Sequence, residues 1–558
     1  MSHSFNPARF IVGFRDWFNL DSYRSHKWSS PEEMATSALR RAPGFEYVVE
    51  KFQLLNAVLV QINPGEIDQF TARVRRSDEV EYCENDFHLE ICSYTDLLHR
   101  SHLQGVPQDR ALSTHRSRHV AIASGVGSTV ALIDTGLSPH PYLPALSFQE
   151  ASAKSLTRHK SVRTPATEAF IAAAVQLERQ YGNPFTDATD RQAFNSQFLA
   201  ELGIFTDSRW AEWEAELQTW IGQKRRPPAP GVPQDRAMLG SMRVISPHSW
   251  NFVENTPNIL DRDGHGTAMA GCIAALPPIS TGILPTISPV LSTDPQLSSE
   301  PYAKHLSALE QDVVGLAPYA ELLVLKCLET QRADDSTLSK LLKALAYCLT
   351  LRPDCIYIGF ALKNQPQTPL MSLTRTTAQV TAAGIAIVAP AGNEGKAGLR
   401  APAGCPGVLS ISAAEIEKGT GRVVRSQFSS FADVSNQEEI AFCAQGGEDE
   451  SPMLTLSTDF GFSYERGTSI SAAVVTAIVA NTAAAHYRAT TEQLYRSQVN
   501  AHGLIAPLKI RQMIDKWQPS ATDAATVFAD VKASVLFAAP PSISPKCDPE
   551  LGLGLPRI

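Results

Sequence analysis

The sequence has no apolar stretch long enough to cross a membrane and no run of basic residues. A membrane-spanning helix needs about 20 mostly apolar residues, and charged residues interrupt the one apolar run near the N-terminus, so no signal peptide is visible. The net charge of −8 argues against a nucleic acid or an anionic membrane as the main partner. With 558 residues, 43% of them hydrophobic and 19% charged, the composition indicates a globular protein with room for two or more domains.

Cysteine is also sparse, with nine residues and no CxxC pair. The number is odd and several cysteines lie in apolar, core-like segments, so we expect buried free thiols and not a disulfide framework. Together with the missing signal peptide, this favours the cytoplasm, and secretion is the alternative if a signal has been removed. The sequence shows no cluster of acidic residues typical of calcium ligands, so we assign no metal.

One stretch near the C-terminal third joins a glycine to a hydroxyl-rich helix start. Residues 467–471 read GTSIS, and an apolar helix follows at once. The glycine allows close backbone approach, and the positive field at a helix N-terminus suits a serine that attacks a carbonyl. Serine and threonine also begin helices as ordinary caps, so this string alone leaves both interpretations open for Ser469.

Three upstream segments supply the partners that such a serine needs. A buried strand ends at Asp134, and His265 lies between two glycines at the start of a helix of small residues. An aspartate, a histidine and a serine can form an acid–base–nucleophile set, in which the carboxylate orients the imidazole and the imidazole takes the serine proton. A strand that ends at Asn393 offers an amide donor for the negative oxygen of the tetrahedral intermediate.

The strings IDTG, DGHGTAMAG, APAGN and GTSIS, in this order, resemble the subtilisin-like serine proteases, or subtilases. The resemblance implies that Asp134 is the orienting carboxylate, His265 the general base and acid, and Ser469 the nucleophile. It makes Asn393 the oxyanion donor beside the Ser469 backbone N–H. The chain departs from the family pattern at two positions: Ala473 replaces a proline after the nucleophile, and Ala268 replaces a second histidine.

The resemblance also implies a strand that pairs with an extended substrate. The family carries a Ser-x-Gly backbone there, whereas this chain has Gly359, Phe360 and Ala361. We therefore expect substrate to add as a β-strand to these three residues, with a specificity pocket that the sequence does not identify.

The first 93 residues are predicted to form a domain of their own. Their patterns predict strand, helix, strand, strand, helix and strand, which is the order of a ferredoxin-like α+β unit; the segments are 9–14, 30–41, 46–53, 55–62, 64–75 and 80–83. In this setting the unit resembles a subtilase propeptide, which implies an inhibitor whose C-terminal tail occupies the cleft. A small accessory domain without inhibitory function is the alternative.

The rest of the chain is divided into a linker and a catalytic domain. Residues 94–127 are polar and suit a linker with a processing site, and residues 128–558 are predicted to be the catalytic domain. That domain would carry a helical insertion at about 150–240 and a Pro/Ser-rich loop at about 276–309. The heptapeptide GVPQDRA occurs twice, beginning at Gly105 and at Gly231, either as a duplicated loop or as two self-processing sites.

The sequence thus predicts an α/β fold, with a mostly parallel sheet and helices on both faces, behind a ferredoxin-like propeptide. The predicted function is a serine endopeptidase, a zymogen with selective processing activity, that needs no cofactor for its chemistry; structural calcium is left open. Its expected partners are a protein or peptide substrate and its own propeptide, with no nucleic acid and no membrane. The alternative is a catalytically silent scaffold that binds peptides in a blocked cleft.

Overall fold

The computed structural model describes residues 5–26, 28–52, 54–91, 128–138, 140, 142–143, 246, 248–275, 315–317, 320–329, 337–363, 369–417, 423–448, 452–458 and 462–483. The predicted linker, both insertions, both copies of the repeated heptapeptide and the region beyond residue 483 lie outside the described residues.

An antiparallel sheet with two helices makes up the N-terminal unit. Its elements, in chain order, are β1 (Phe5–Phe14), α1 (Pro31–Leu39), β2 (Phe45–Phe52), β3 (Ala57–Ile62), α2 (Ile67–Val74) and β4 (Val80–Phe87). The strands lie in the order β2–β3–β1–β4, and every pairing is antiparallel. The succession of strands and helices is the predicted one. The last strand runs four residues beyond the predicted Cys83, and a short segment, β5 (Leu89–Ile91), follows it.

Helix α1 begins where the sequence signals indicate. The Ser30 side chain accepts a hydrogen bond from the backbone N–H of Glu33 at 3.2 Å, and Pro31 is the first helical residue. Proline suits this position because its missing N–H would have no partner in the helix. The predicted second helix starts later than expected, because residues Pro64–Glu66 form a 3-10 turn before α2.

Both faces of the N-terminal sheet are covered. Phe10, Val12 and Phe14 of β1 pack with the two helices in one hydrophobic cluster, whereas Ile11 packs in a second cluster that belongs largely to the rest of the molecule. Side chains alternate between the faces of a strand. One face of the sheet therefore packs in the core of the N-terminal unit, and the other face contacts the rest of the molecule.

A larger, mostly parallel sheet forms the second unit, which is named the catalytic unit after the role that the sequence predicts for it. Its elements, in chain order, are β6 (Thr129–Asp134), β7 (Trp250–Asn251), α3 (His265–Ala274), β8 (Glu321–Lys326), α4 (Leu338–Leu351), β9 (Cys355–Ile358), β10 (Phe360–Leu362), α5 (Met371–Ala382), β11 (Ala386–Pro390), β12 (Val408–Ile416), β13 (Val423–Arg425), β14 (Phe442–Gln445), β15 (Met453–Leu456), β16 (Phe462–Glu465) and α6 (468–483). The order is β13–β12–β11–β9–β6–β8–β7, with β14 also paired to β12, and only the β12–β13 pairing is antiparallel.

Helices pack on both faces of this sheet. Val130 and Leu132 of β6 lie in one core cluster with residues of α3 and α6. Ala131 and Ile133 of the same strand lie in the other cluster, with residues of α4, α5 and the N-terminal unit. The predicted α/β class, with a mostly parallel sheet between two helical layers, is confirmed.

Three further findings hold within the described part of the chain. The seven cysteines that it contains are all free thiols, and burial raises the pKa of Cys83 and of Cys405 to about 12. No group of three or more His, Cys, Asp or Glu side chains lies close enough together to hold a metal ion. No helix there has both the length and the apolar character that a membrane span requires.

Candidate active site

Asp134 and His265 meet at the carboxyl edge of the parallel sheet. Asp134 is the last residue of β6, and His265 is the first residue of α3. His265 Nδ1 lies 2.8 Å from Asp134 Oδ1 and 2.9 Å from Asp134 Oδ2, and both side chains are buried. An imidazole held this way presents its other nitrogen, Nε2, to a proton donor.

The electrostatics of His265 follow from this pairing. Burial alone would lower the pKa of the ring, but the Asp134 carboxylate and its hydrogen bond, with smaller effects from Asp263 and Glu465, outweigh burial and raise the pKa above the ordinary value of 6.5. His265 Nε2 is buried and has no hydrogen-bond partner among the described residues. A buried polar atom without a partner calls for an explanation, and a catalytic role is one of those that apply to such atoms.

A second aspartate, which sequence reasoning missed, holds the start of α3. Asp261 Oδ1 accepts from the backbone N–H groups of Asp263 at 3.0 Å and Gly264 at 2.9 Å. Its Oδ2 accepts from the Thr267 N–H at 2.9 Å and the Thr267 hydroxyl at 2.7 Å. Three of these bonds satisfy backbone N–H groups at or just before the N-terminus of α3, and the fourth holds the Thr267 hydroxyl, so together they fix the turn that carries His265. The available signal was an aspartate four residues before the histidine.

Ser469 lies in the first turn of α6, as the GTSIS string predicts. Its hydroxyl donates to the carbonyl oxygen of Gly359 at 3.3 Å, and its own carbonyl accepts from the Tyr357 hydroxyl at 3.2 Å. The serine is buried. Its side chain therefore faces the junction between β9 and β10.

Gly359 is the point at which these groups converge. A Cβ atom built on Gly359 would lie 1.8 Å from Asp134 Oδ2 and 3.0 Å from His265 Cε1. Because Gly359 also accepts the Ser469 hydrogen bond, the predicted carboxylate, base and nucleophile all border one residue. Only glycine fits here without displacing the Asp134–His265 pair.

Asn393 lies beside the start of α6. Its Oδ1 accepts from the Thr468 N–H at 2.9 Å and from the Thr468 hydroxyl at 2.8 Å. These bonds fix the side chain next to the residue that precedes Ser469. The structure thus brings the four predicted catalytic and oxyanion residues into one region.

The predicted substrate strand is occupied by the chain itself. Strand β5 pairs antiparallel with β10, with Ile91 opposite Phe360, Glu90 opposite Ala361 and Leu89 opposite Leu362. The Lys363 N–H also donates to the His88 carbonyl at 2.8 Å. Since the strands are antiparallel, β5 runs from Leu362 toward Gly359, which means toward the Asp134–His265 pair.

Two carboxylates of β4 hold the helices of the catalytic unit. Asp86 accepts from the N–H and the hydroxyl of Ser339, at 2.8 and 2.9 Å, at the N-terminus of α4. Glu84 accepts from the Met371 N–H at 2.5 Å and the Ser372 hydroxyl at 2.6 Å, at the N-terminus of α5. The residues preceding these helices make no side-chain cap. The N-terminal unit therefore supplies both caps.

Burial dominates the titration of these two carboxylates. It raises the pKa of Glu84 and of Asp86, although the hydrogen bonds from Ser372, Met371 and Ser339 act in the opposite direction. Two salt bridges also join the N-terminal unit to these helices, from Arg375 of α5 to Glu81 at 2.5 Å and from Lys343 of α4 to Glu50 at 2.7 Å.

A parallel sheet with an aspartate, a histidine and a serine at one edge is the arrangement expected of a serine protease of the α/β type. The family model described as Subtilase family, peptidase S8, matches residues 125–514, which is more than half of the chain, and the chain belongs to that family. No curated protein matches it.

The solved structures that match this chain share little of its sequence. Fervidolysin from Fervidobacterium pennivorans, a keratinolytic enzyme related to subtilisin, is 13% identical with a TM-score of 0.47; the match covers 100% of this chain and 61% of fervidolysin. The epidermin leader peptide processing protease EpiP from Staphylococcus aureus is 12% identical with a TM-score of 0.47, covering 99% of this chain and 96% of EpiP.

Proposed function

We propose that the chain is the zymogen of a selective endopeptidase in which Asp134, His265 and Ser469 form the catalytic triad. The observation that carries the proposal is the convergence on Gly359. One residue touches the Ser469 hydroxyl and leaves no room for a side chain against the Asp134–His265 pair.

The roles follow from the contacts. Asp134 holds His265 Nδ1 and favours the imidazolium that forms when Nε2 takes the Ser469 proton. The Ser469 oxygen then attacks the peptide carbonyl, and the Asn393 side chain with the Ser469 N–H stabilises the negative oxygen of the intermediate. Collapse of the intermediate transfers the proton from His265 to the leaving amine and leaves an acyl-enzyme, which water hydrolyses. The Ser469 hydroxyl first turns from Gly359 to His265 Nε2.

The N-terminal unit fits the role of an inhibitory propeptide in this proposal. Its tail, β5, pairs with the strand expected to receive substrate, and Glu84 and Asp86 anchor the unit on two helices. While β5 stays in place, another extended peptide has no access to the same edge of β10. Removal of the unit would expose that edge. The large insertions predicted from the sequence favour a selective processing protease over a digestive one.

The test follows the intact mass of the purified chain with time, at neutral pH, for the wild type, Ser469→Ala and the matched control Ser471→Ala. Ser471 lies in the same helix turn, and its hydroxyl donates to the Ala444 carbonyl at 3.0 Å. We expect wild type and Ser471→Ala to release an N-terminal fragment that contains residues 1–93, and Ser469→Ala to stay whole.

A fluorophosphonate label separates the remaining outcomes. If no chain is cut but Ser469 of the wild type takes the label, the enzyme requires an activator. Loss of the fragment from Ser469→Ala at the wild-type rate would contradict the assignment of the nucleophile. Absence of both cutting and labelling, in the full chain and after limited proteolysis has removed the N-terminal unit, would establish the silent scaffold.

A further inference from the structure

Arg400 lies beside the end of strand β10 and contacts the N-terminal tail. Its Nη2 donates to Glu90 Oε2 at 2.8 Å. Two other groups hold the same guanidinium: the Leu362 carbonyl accepts from Nε at 3.1 Å and from Nη2 at 2.6 Å, and Glu394 Oε1 accepts from Nη1 at 2.6 Å. The position of the guanidinium is therefore fixed by contacts within the catalytic unit, independently of Glu90.

The residues on either side of Glu90 pack in a hydrophobic cluster. Leu89 and Ile91 are 5% and 6% exposed and belong to the hydrophobic cluster that includes Phe360 and Leu362. The Glu90 side chain is 44% exposed and projects from the opposite face of the strand, as alternation requires. Strand β10 thus pairs with the apolar–acidic–apolar sequence of β5, and the Arg400 guanidinium contacts the acidic side chain.

We propose that Arg400 is a specificity-determining residue, which selects substrates with an acidic side chain opposite Ala361 and apolar side chains on both sides. This inference rests on the proposed function, in which a substrate strand replaces β5 on β10. A guanidinium held in place before the peptide arrives loses little freedom when it binds a carboxylate, which favours recognition. A lysine at the same substrate position would meet a like charge.

Glu394 limits the size of this preference. It already partners Arg400 and also accepts from the Ser430 hydroxyl at 2.9 Å. Burial alone would raise the pKa of Glu394, but Arg400 and Ser430 outweigh burial and lower it, so Glu394 keeps its negative charge. Because the pair with substrate is partly exposed, we expect a preference for glutamate over glutamine of about fivefold, the upper range for such pairs.

The experiment measures kcat/KM of the matured wild-type enzyme for peptides of residues 86–95 that carry Glu, Gln or Lys at position 90. We expect the order Glu, Gln, Lys from best to worst. Arg400→Gln should bring the Glu to Gln ratio close to one, and Arg400→Glu should make Lys the preferred residue. Arg375→Gln is the matched control, because Arg375 also pairs with a glutamate of the N-terminal unit but lies away from β10, and it should keep the wild-type ratio.

Equal rates for the three peptides, or an unchanged ratio in Arg400→Gln, would overturn the inference. If the enzyme cleaves no peptide, the proposed function fails, and amide hydrogen exchange in the full Ser469→Ala chain tests Arg400 without catalysis. There, Glu90→Gln and Arg400→Gln should each speed exchange at Leu89–Ile91, and the double variant should add little to either one. Unchanged exchange in both single variants would overturn recognition of the acid by Arg400.

Discussion

Two sets of carboxylates in the molecule, Asp134 and the pair Glu84 and Asp86, differ in what the carboxylate faces. Asp134 is buried inside the catalytic unit against an ionisable ring, and its charge raises the pKa of His265. Asp86 is buried and Glu84 is half-buried between two units, against N–H and hydroxyl groups at helix N-termini, and burial raises the pKa of both.

The Asp134–His265 contact lies within one unit, whereas the contacts of Glu84 and Asp86 join two units that could separate. The Asp134–His265 contact joins two elements of one folded unit, so it persists as long as that unit stays folded. The caps from Glu84 and Asp86 join the N-terminal unit to α4 and α5, and these carboxylates return to water if the unit leaves. In the proposed function, Asp134 serves the reaction, whereas Glu84 and Asp86 serve docking of the N-terminal unit.

Gly359→Ala should disrupt the Asp134–His265 pair and leave the caps from Glu84 and Asp86 intact. The added Cβ would lie 1.8 Å from Asp134 Oδ2, so the carboxylate or β9 must move and the imidazole loses its orientation. A displacement near 1 Å at reacting groups costs about 100-fold in rate. We expect kcat/KM of the matured enzyme to fall by about that factor.

The control for this variant is Val434→Ala, because Val434 is 71% exposed and belongs to the part of the chain that stays in the matured enzyme. Its matured enzyme should match the wild type. Thermal unfolding of both variants shows whether Gly359→Ala still folds. A folded Gly359→Ala enzyme with wild-type kcat/KM would contradict the described convergence on this residue.

Asp86→Ala should weaken the docking of the N-terminal unit and leave the Asp134–His265 pair intact. The change leaves the Ser339 N–H and hydroxyl without their partner, and loss of a helix cap costs about 0.5–2 kcal/mol. We expect the N-terminal unit to dock more weakly by up to about 30-fold, on the usual conversion of that energy. Amide exchange in β5 of the Ser469→Ala chain measures the change.

Asp68→Ala is the control for docking, because Asp68 is an exposed acid in the first turn of α2. It should leave exchange in β5 unchanged. If Asp86→Ala does the same, the cap on α4 does not contribute to docking.

The sequence predicted the parts of the site that depend on local strings. Asp134, His265, Asn393 and Ser469 each lie where a strand ends or a helix begins, and glycine-rich turns mark such positions in a sequence. The order of elements in the N-terminal unit was also predicted, because each has its own hydrophobic period.

Contacts between distant segments could not be predicted in the same way. Asp86 and Ser339 are 253 residues apart, and Glu90 and Arg400 are 310 residues apart. Nothing in either local pattern identifies the other partner. The role of Gly359 was missed for a similar reason, since its substrate-strand resemblance was visible but its closeness to Asp134 and His265 depends on how β6, α3 and β9 assemble.

A rise in pH should weaken the docking of β5 and also increase the activity that depends on His265. We expect both changes to be smaller than the effects of the substitutions above. Groups whose pKa is raised on docking strengthen docking at low pH, and this contribution is lost as pH rises through the raised pKa. For Glu84 and Asp86 the window opens above their ordinary values of 4.5 and 3.8, and Arg375 and Arg9 only partly oppose the shift. Rising pH should therefore loosen β5.

His265 must be neutral to accept the Ser469 proton, so kcat/KM should increase with pH through a pKa above 6.5. The double variant Glu84→Gln, Asp86→Asn separates the two effects, because it removes the titrating caps but leaves the Asp134–His265 pair unchanged. In the full Ser469→Ala chain that carries this double variant, β5 exchange corrected for its intrinsic pH dependence should lose its pH-dependent loosening. In the full chain that keeps Ser469, the acid limb of the self-cleavage rate should stay at the wild-type position. If the acid limb moves with the caps, the two sets of carboxylates are coupled and the division between chemistry and docking is wrong.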